Sequence, residues 1–434
     1  MGLLIGVGST RPNFAYDNYY GIEWDIAVSN PVPTRIGKME LHASLPVQSK
    51  MRRCMLDDNG DVVTYLDANN SAKTDTGANA DLTGASGNVM VEIPDMYVRF
   101  EKDGNKCRAL ISEHALPGFT KWSRKYVSAY EAALDRSINK LMSVVNDTTN
   151  FRGGINTASY DGTDHTLLGR PATGISLTNF RAYARKNRDA RWNCNTYDVQ
   201  KTLYWLFAIE YCNFNSQAAF NAEKTEDGYR QGGLGDGVTN LVGDKWSEWC
   251  AYNPFIPCGY TNSLGNKTGV VDFVLPAGYG SALTTHVPSY RGVENPFGHT
   301  WKWTDGILVN VRSNDDGGTS DFMVCNNAED YASSITDNYK KRGEIARTNG
   351  YVKQILLGEH GDIIPLSVAG GSTIYFCDYF YTSIPESGTS LRGVFFGGFA
   401  NDGAYAGFVY ASANIAPSAT YANVGSRLCF IPNS

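Results

Sequence analysis

Tyr290-Arg291-Gly292-Val293-Glu294-Asn295-Pro296-Phe297-Gly298-His299-Thr300-Trp301-Lys302-Trp303-Thr304-Asp305 is the stretch on which the fold turns. Asn295-Pro296 and Phe297-Gly298 punctuate it as a turn, because Pro restricts the residue before it and Gly frees its own backbone. Beyond the turn, Trp301 and Trp303 stand two apart. Strand side chains repeat every second residue, so both indoles are expected on one core face, with Lys302 pointing outward. A tryptophan pair of this kind is scaffold rather than site.

Working outward, the segment from Cys377 to Phe430 has the composition of a recognition face. Leu391-Arg392-Gly393-Val394 and Gly425-Ser426-Arg427-Leu428-Cys429-Phe430 form a stiff frame. Between them, and just before, stand Tyr379, Tyr381, Thr382, Phe399, Asn401, Asp402, Ala404, Tyr405, Tyr410, Ser412, Asn414, Ala419 and Tyr421, the candidate ligand-binding residues. Tyr gives large contact area at low rotamer entropy, and Ser, Asn and Asp give adaptable hydrogen bonding, as in antibody paratopes. Gly397, Gly398, Gly403, Gly407, Pro417 and Arg427 interleave as frame. Tyr410 and Asn414 fall near the expected frame strands.

At 434 residues the chain exceeds one ordinary core, so two or three domains are expected. Its 42% hydrophobic and 12% aromatic content suffices for globular cores. A formal charge of −6 without a basic block argues against nucleic acid or anionic lipid as the main partner, since each needs a basic footprint. No apolar run approaches the roughly 18 residues of a membrane span, so no membrane insertion is expected. The apolar start, Met1 to Gly8, has no basic n-region and is shorter than a secretory h-region; synthesis in the cytoplasm without a signal peptide is expected. The nine cysteines are odd in number and lack framework spacing, and are read as free, buried thiols. With no CxxC pair and only six scattered His, neither structural zinc nor any cofactor is expected.

Residues 1 to about 120 read as β-rich. Asn59-Gly60 between two apolar stretches predicts a hairpin, and turn chemistry accounts for the neighbouring Asp residues better than a calcium loop does. A polar loop covers residues 69–88, a strand 89–100, and a turn at 102–105 leads to another strand over 107–112. Pro117-Gly118 is the expected domain boundary. Ser128 and Glu131 then suggest a capping box opening a helix, with Leu134, Ile138, Leu141 and Val145 on one face. Helices are also expected over 178–188, serving as a solvated face or through scaffold salt bridges rather than in phosphate binding, and over 198–211, with an aromatic core stripe. Gly232 to Gly237 fits neither GxGxxG nor GxxxxGK[ST], and is read as a turn-rich loop.

The stretch 290–305 resembles the GNVWEW-type segment of the formylglycine-generating-enzyme branch of the C-type lectin fold. Leu391 to Gly398 resembles that branch's RGGSW segment, and Gly425 to Cys429 its closing GFR strand. The motifs keep their order across residues 125 to 434. Within this branch the chain is most similar to variable proteins of diversity-generating retroelements, a group that includes the phage major tropism determinant and relatives in gut phages and bacteria. The resemblance implies an α+β chain. A β-rich attachment or oligomerisation domain would span 1–120, and a C-type-lectin-like ligand-binding domain 121–434, with a variable region about 377–430. It further implies rewriting of that region through template adenines, from whose AAC and AAT codons the candidate residue types are reachable. The partner implied is a protein or glycan receptor on a target cell surface. The setting is a phage tail-fibre tip or a bacterial surface adhesin, and the assembly a homotrimer.

Two alternatives come with the same branch. An oxidase would need a close pair of active-site cysteines, but Cys377 and Cys429 stand far apart in sequence with no evident cationic neighbour to activate a thiolate. No HExxH or GxSxG motif occurs either, so no catalytic residue is assigned. A calcium-dependent lectin would use a Glu-Pro-Asn motif. Glu294-Asn295-Pro296 scrambles that order and lacks a companion Trp-Asn-Asp, so a turn is expected there and no metal.

Overall fold

The computed structural model describes residues 18–221, 256–274 and 284–432. Its largest sheet is organised by the strand Trp301–Arg312, which runs between Ser320–Val324 and Thr389–Phe396. Beyond Thr389–Phe396 follow Ala411–Ala413, Tyr379–Thr382, Gly350–Leu357 and Asp362–Val368; beyond Ser320–Val324 lies Lys340–Glu344. The motif segments of the sequence thus become neighbours. Trp303 pairs with Phe395 in antiparallel register, while Trp301 and Lys302 pair in parallel with Val424 and Gly425.

Both tryptophans are buried, Trp303 completely. Lys302, expected outside, is buried as well. Alternation separates core from solvent only where one face of a sheet is wet, and this strand is covered on both. The Lys302 ammonium lies 2.9 Å from Glu131 Oε1 and donates to Thr300 O at 2.9 Å. Glu131 also accepts from Thr300 Oγ1 and sits against His299 Nδ1. Burial resists ionisation of Glu131, yet Lys302 and His299 outweigh it and hold the carboxyl well below its usual range.

That role for Glu131 explains why the helix expected after Ser128 does not form. The chain instead makes strands Lys125–Ser128, Ala133–Asp135 and Lys140–Met142. Ser128 Oγ donates to Tyr130 O rather than capping, and Glu131 turns inward to meet Lys302. A buried charge and a capping partner look the same in sequence.

The Asn59-Gly60 hairpin joins Arg52–Leu56 to Val62–Tyr65, with Cys54 opposite Tyr65. Residues 89–100 form two strands, Asn88–Ile93 and Met96–Asp103, which enter different sheets on either side of Pro94. A Pro carries no N–H for a central ladder. The loop over 69–88 lacks long strands and is tied by side-chain turns, such as Asp67 Oδ1 accepting from Asn69 N and Asn70 N.

A six-stranded sheet runs Trp192–Cys194, Leu428–Phe430, Lys125–Ser128, Asn88–Ile93, Arg52–Leu56, Val62–Tyr65. Hydrogen bonding therefore crosses the boundary expected near residue 120, with Val91 opposite Val127. One buried apolar cluster likewise extends from Tyr20 to Phe430.

Three α-helices occur among the described residues: α1 (Met39–Ser44), α2 (Leu177–Ala184) and α3 (Tyr197–Tyr211). Ser176 and Thr196 cap α2 and α3 by accepting from Asn179 N and Val199 N. From α2, Arg181 forks onto Asp305 at 2.6 and 2.8 Å, a scaffold salt bridge on the central strand. α3 is buried nearly all round, as its apolar run implies. Its Trp205 packs on Phe100 and its Phe207 on Phe408, so this helix ties early and late segments together. No described helix is long and apolar enough to cross a membrane. The cysteines at 54, 107, 194, 212, 258, 325, 377 and 429 are free and buried. Cys250 and the glycine-rich loop 232–237 lie outside the described residues.

Candidate functional site: an aromatic hollow on the C-terminal segment

The strand Tyr379–Thr382 pairs in parallel with Ala411–Ala413 and antiparallel with Gly350–Leu357. Its burial alternates: Phe380 and Thr382 face the core, while Tyr379 and Tyr381 are half-exposed on the other face. Next along comes a tight loop at 397–406. Gly398 adopts φ +77°, and a Cβ there would stand 2.7 Å from the Tyr410 ring and 2.9 Å from Asp402 Oδ2. Glycine is thus what lets ring and carboxylate meet. Asp402 Oδ2 accepts from Phe399 N at 2.8 Å, and the short 3-10 turn Gly403–Tyr405 follows. Beneath, the buried Asp378 accepts from Val409 N and Tyr410 N, fixing the backbone that carries Tyr410.

These elements surround a hollow of about 350 Å³. Of the candidate residues, Tyr381, Phe399, Asp402, Tyr410, Ser412, Asn414 and Tyr421 line it. Tyr379 and Tyr405 extend it as a ring ladder, with centroids 4.4 Å apart and Tyr405 also 6.4 Å from Tyr410. Asn401 is exposed beside Asp402, whereas Ala404 and Ala419 are partly buried and do not line the hollow.

Tyr410, Ser412 and Thr382 are buried and belong to the frame rather than the exposed face. Tyr410 packs on Trp301 at 4.3 Å, Ser412 sits on the strand opposite Phe395, and Thr382 faces the core by strand parity. Tyr410 and Ser412 still form the floor. The Tyr410 hydroxyl is buried beside the Asp402 carboxyl and the Tyr381 phenol, and both act on it.

Sequence reasoning missed Trp301, Phe395, Ile415, Asn423 and Val424 as lining residues, and Tyr351, which packs 5.1 Å from Tyr379 and 5.4 Å from Tyr405. Asn423 shared the composition of the segment and could have been found. Tyr351 arrives from a strand outside it and left no signal.

Burial pushes the Asp402 carboxyl up to about 7, against the hydrogen bond from Phe399 N. Burial likewise raises Tyr381 and Tyr410, with Asp402 adding to both, so the phenols stay neutral and able to donate. The hollow therefore offers ring faces for stacking, the Asn414 and Asn423 side chains, and one carboxyl that gains or loses its proton near neutrality.

Elsewhere the alternative sites are spent internally. Burial raises Cys377, and pushes Cys429 up to about 12, which disfavours the thiolate form. Glu294 accepts from Gly259 N, Thr261 N and Thr261 Oγ1, and Asn295 occupies a left-handed turn at φ +46°. Among the described residues no cluster of His, Cys, Asp and Glu is arranged to hold a metal ion.

No protein-family model matches the chain, and no curated protein matches it. Among solved structures, it is similar to "Major Tropism Determinant U1 Variant" at 12% identity, covering 81% of this chain and 83% of that one with a TM-score of 0.28. It is also similar to "Major Tropism Determinant M1 Variant" at 11% identity, covering 92% and 88% with a TM-score of 0.29. TM-scores this low do not fix a fold.

Proposed function

We propose that this chain is a receptor-binding protein whose C-terminal segment, held on a C-type-lectin-like frame, presents the aromatic hollow to a protein or glycan on a target cell. The observation that carries this reading is the convergence of Tyr381, Phe399, Asp402, Asn414 and Tyr421, from separate loops and strands, onto one hollow floored by buried Tyr410 and Ser412. Rings that are half-exposed and pre-positioned lose little freedom on binding, so they suit anchors. The pairing of the motif segments in one sheet supports the frame. Diversification by a retroelement belongs to the same proposal, as do a variable region about 377–430, a trimer that gains avidity, and display on a phage tail fibre or bacterial surface. Binding rather than catalysis is favoured because Cys377 and Cys429 are buried with raised thiols.

The test is tolerance. A displayed library randomising Tyr379, Tyr381, Phe399, Asn401, Asn414 and Tyr421, with Thr382, Tyr410 and Ser412 kept, should yield mostly folded members, among which cell-surface extracts select binders. If most members fail to fold, the diversified-surface reading is wrong.

A further inference from the structure

A second cleft, of about 1060 Å³, opens where the six-stranded sheet meets the loop at 266–267 and the end of the strand Thr120–Trp122 with the turn that follows it. Its wall gathers Lys50, Arg52, Lys121, Arg124, Lys267 and Arg291, with Glu92 and Asp95 as the acidic residues of the lining and Lys50 paired to Glu113, on a chain whose formal charge is −6. Two of these cations are held in place by the fold. Glu92, buried at 7% exposure, receives Arg52 Nε on one oxygen at 3.1 Å and Arg124 Nη1 on the other at 3.5 Å. Each guanidinium also lies over a ring, Arg52 at 3.4 Å from Tyr65 and Arg124 at 5.9 Å from Tyr126. Anchored from behind, both side chains remain about half exposed, at 48% and 54%. Among the described residues, neither Nη of Arg52 and neither Nε nor Nη2 of Arg124 has a protein acceptor.

Lys121 and Lys267 are the adjustable cations. Lys121 pairs with Asp95 at 3.2 Å in solvent, a contact that contributes little and can be exchanged for a ligand. Lys267 is exposed, and its loop is held beside Arg52 by Asn266 Oδ1, which accepts from Arg53 N at 2.8 Å. Arg291 is fixed on Glu210 by paired bonds. A planar guanidinium with free donors matches an oxyanion in two parallel bonds, and lysines add charge without demanding geometry. The volume exceeds what one inorganic ion needs and suits a ligand of several rings.

We propose that this cleft is a second binding site, separate from the aromatic hollow, for a ligand bearing sulfate, phosphate or carboxylate groups, of which an acidic saccharide fits the volume best. Titration calorimetry on the full chain with inorganic sulfate, inorganic phosphate, a sulfated trisaccharide and a short single-stranded oligonucleotide tests it. The expected result is saturable, salt-sensitive binding of the trisaccharide, about tenfold weaker in Arg124→Gln and in the double variant Lys121→Gln/Lys267→Gln. Tighter binding of the trisaccharide than of either inorganic ion supports a saccharide source. Equal binding keeps the anion site but assigns it to the free ion. The double variant alters exposed side chains, so its folding is secure and its readout decides. Absence of saturable binding for all the compact anions, unchanged affinity in both variants, or binding confined to the oligonucleotide overturns the proposal.

Discussion

Replacing Phe399, Tyr405 and Tyr421 together by alanine should abolish ligand binding and leave the fold standing, whereas Tyr410→Ala should strike the fold first. Tyr421 is 48% exposed, and exposed substitutions shift stability by about 0.5 kcal/mol. Phe399 and Tyr405 are half-buried, and Tyr405 stacks on Tyr379 at 4.4 Å, a contact worth roughly 0.5–1.5 kcal/mol beyond burial. With about 1 kcal/mol more for the half-buried Phe399 ring, the triple variant should lose about 2–3 kcal/mol. Tyr410 is fully buried against Trp301 at 4.3 Å, and its truncation alone should cost about 3–5 kcal/mol, as large-to-small changes in a core do. Urea unfolding followed by tryptophan fluorescence gives the stabilities, and adsorption of labelled protein to cells that the unmodified chain coats gives the binding. A loss above about 3 kcal/mol from Tyr421→Ala alone would place that ring in the core. Undiminished adsorption by the triple variant would refute the hollow as the contact surface.

Lys302→Met should destabilise the chain by about 3–5 kcal/mol, because it leaves the buried Glu131 carboxylate facing His299 without its ammonium partner; chemical denaturation measures it. Asp402 should make stability fall as pH rises. Its folded pKa of about 7 lies above the unfolded value of 3.8, so the unfolded chain releases the proton first, and the group's stabilisation, complete below about pH 4, is lost by about pH 7. Asp402→Asn should flatten that slope, which unfolding curves across this range would show; an identical slope in both proteins would contradict the assignment.

The parts of the fold legible in the sequence were those set by local chemistry. Asn59-Gly60 fixes a hairpin within a few residues, and the apolar run at 198–211 reads as a helix with a core stripe, which the structure places at Tyr197–Tyr211. Charges misled where burial reversed their usual meaning. Lys302 read as solvent-facing and Glu131 as a capping partner, yet each is buried because the other is there, across more than 160 residues of chain. The site was legible as composition but not as depth: Tyr379 and Tyr410 are the same residue type, and only strand pairing decides which is half-exposed and which is floor. The cationic cleft was invisible, since its members are scattered from Lys50 to Arg291 and no window of sequence holds them together.

The strand Leu428–Phe430 lies inside the six-stranded sheet, between Trp192–Cys194 and Lys125–Ser128, and Leu428 N donates to Ser128 Oγ across 300 residues of separation. On the ribosome, Lys125–Ser128 emerges with one neighbour already made and the other still untranslated. At roughly 5–20 residues per second the gap lasts about 15–60 s, during which that backbone edge is open to other nascent chains. Yield in cells should therefore depend on elongation speed and on chaperones that mask strand edges, even for variants whose equilibrium stability is unchanged.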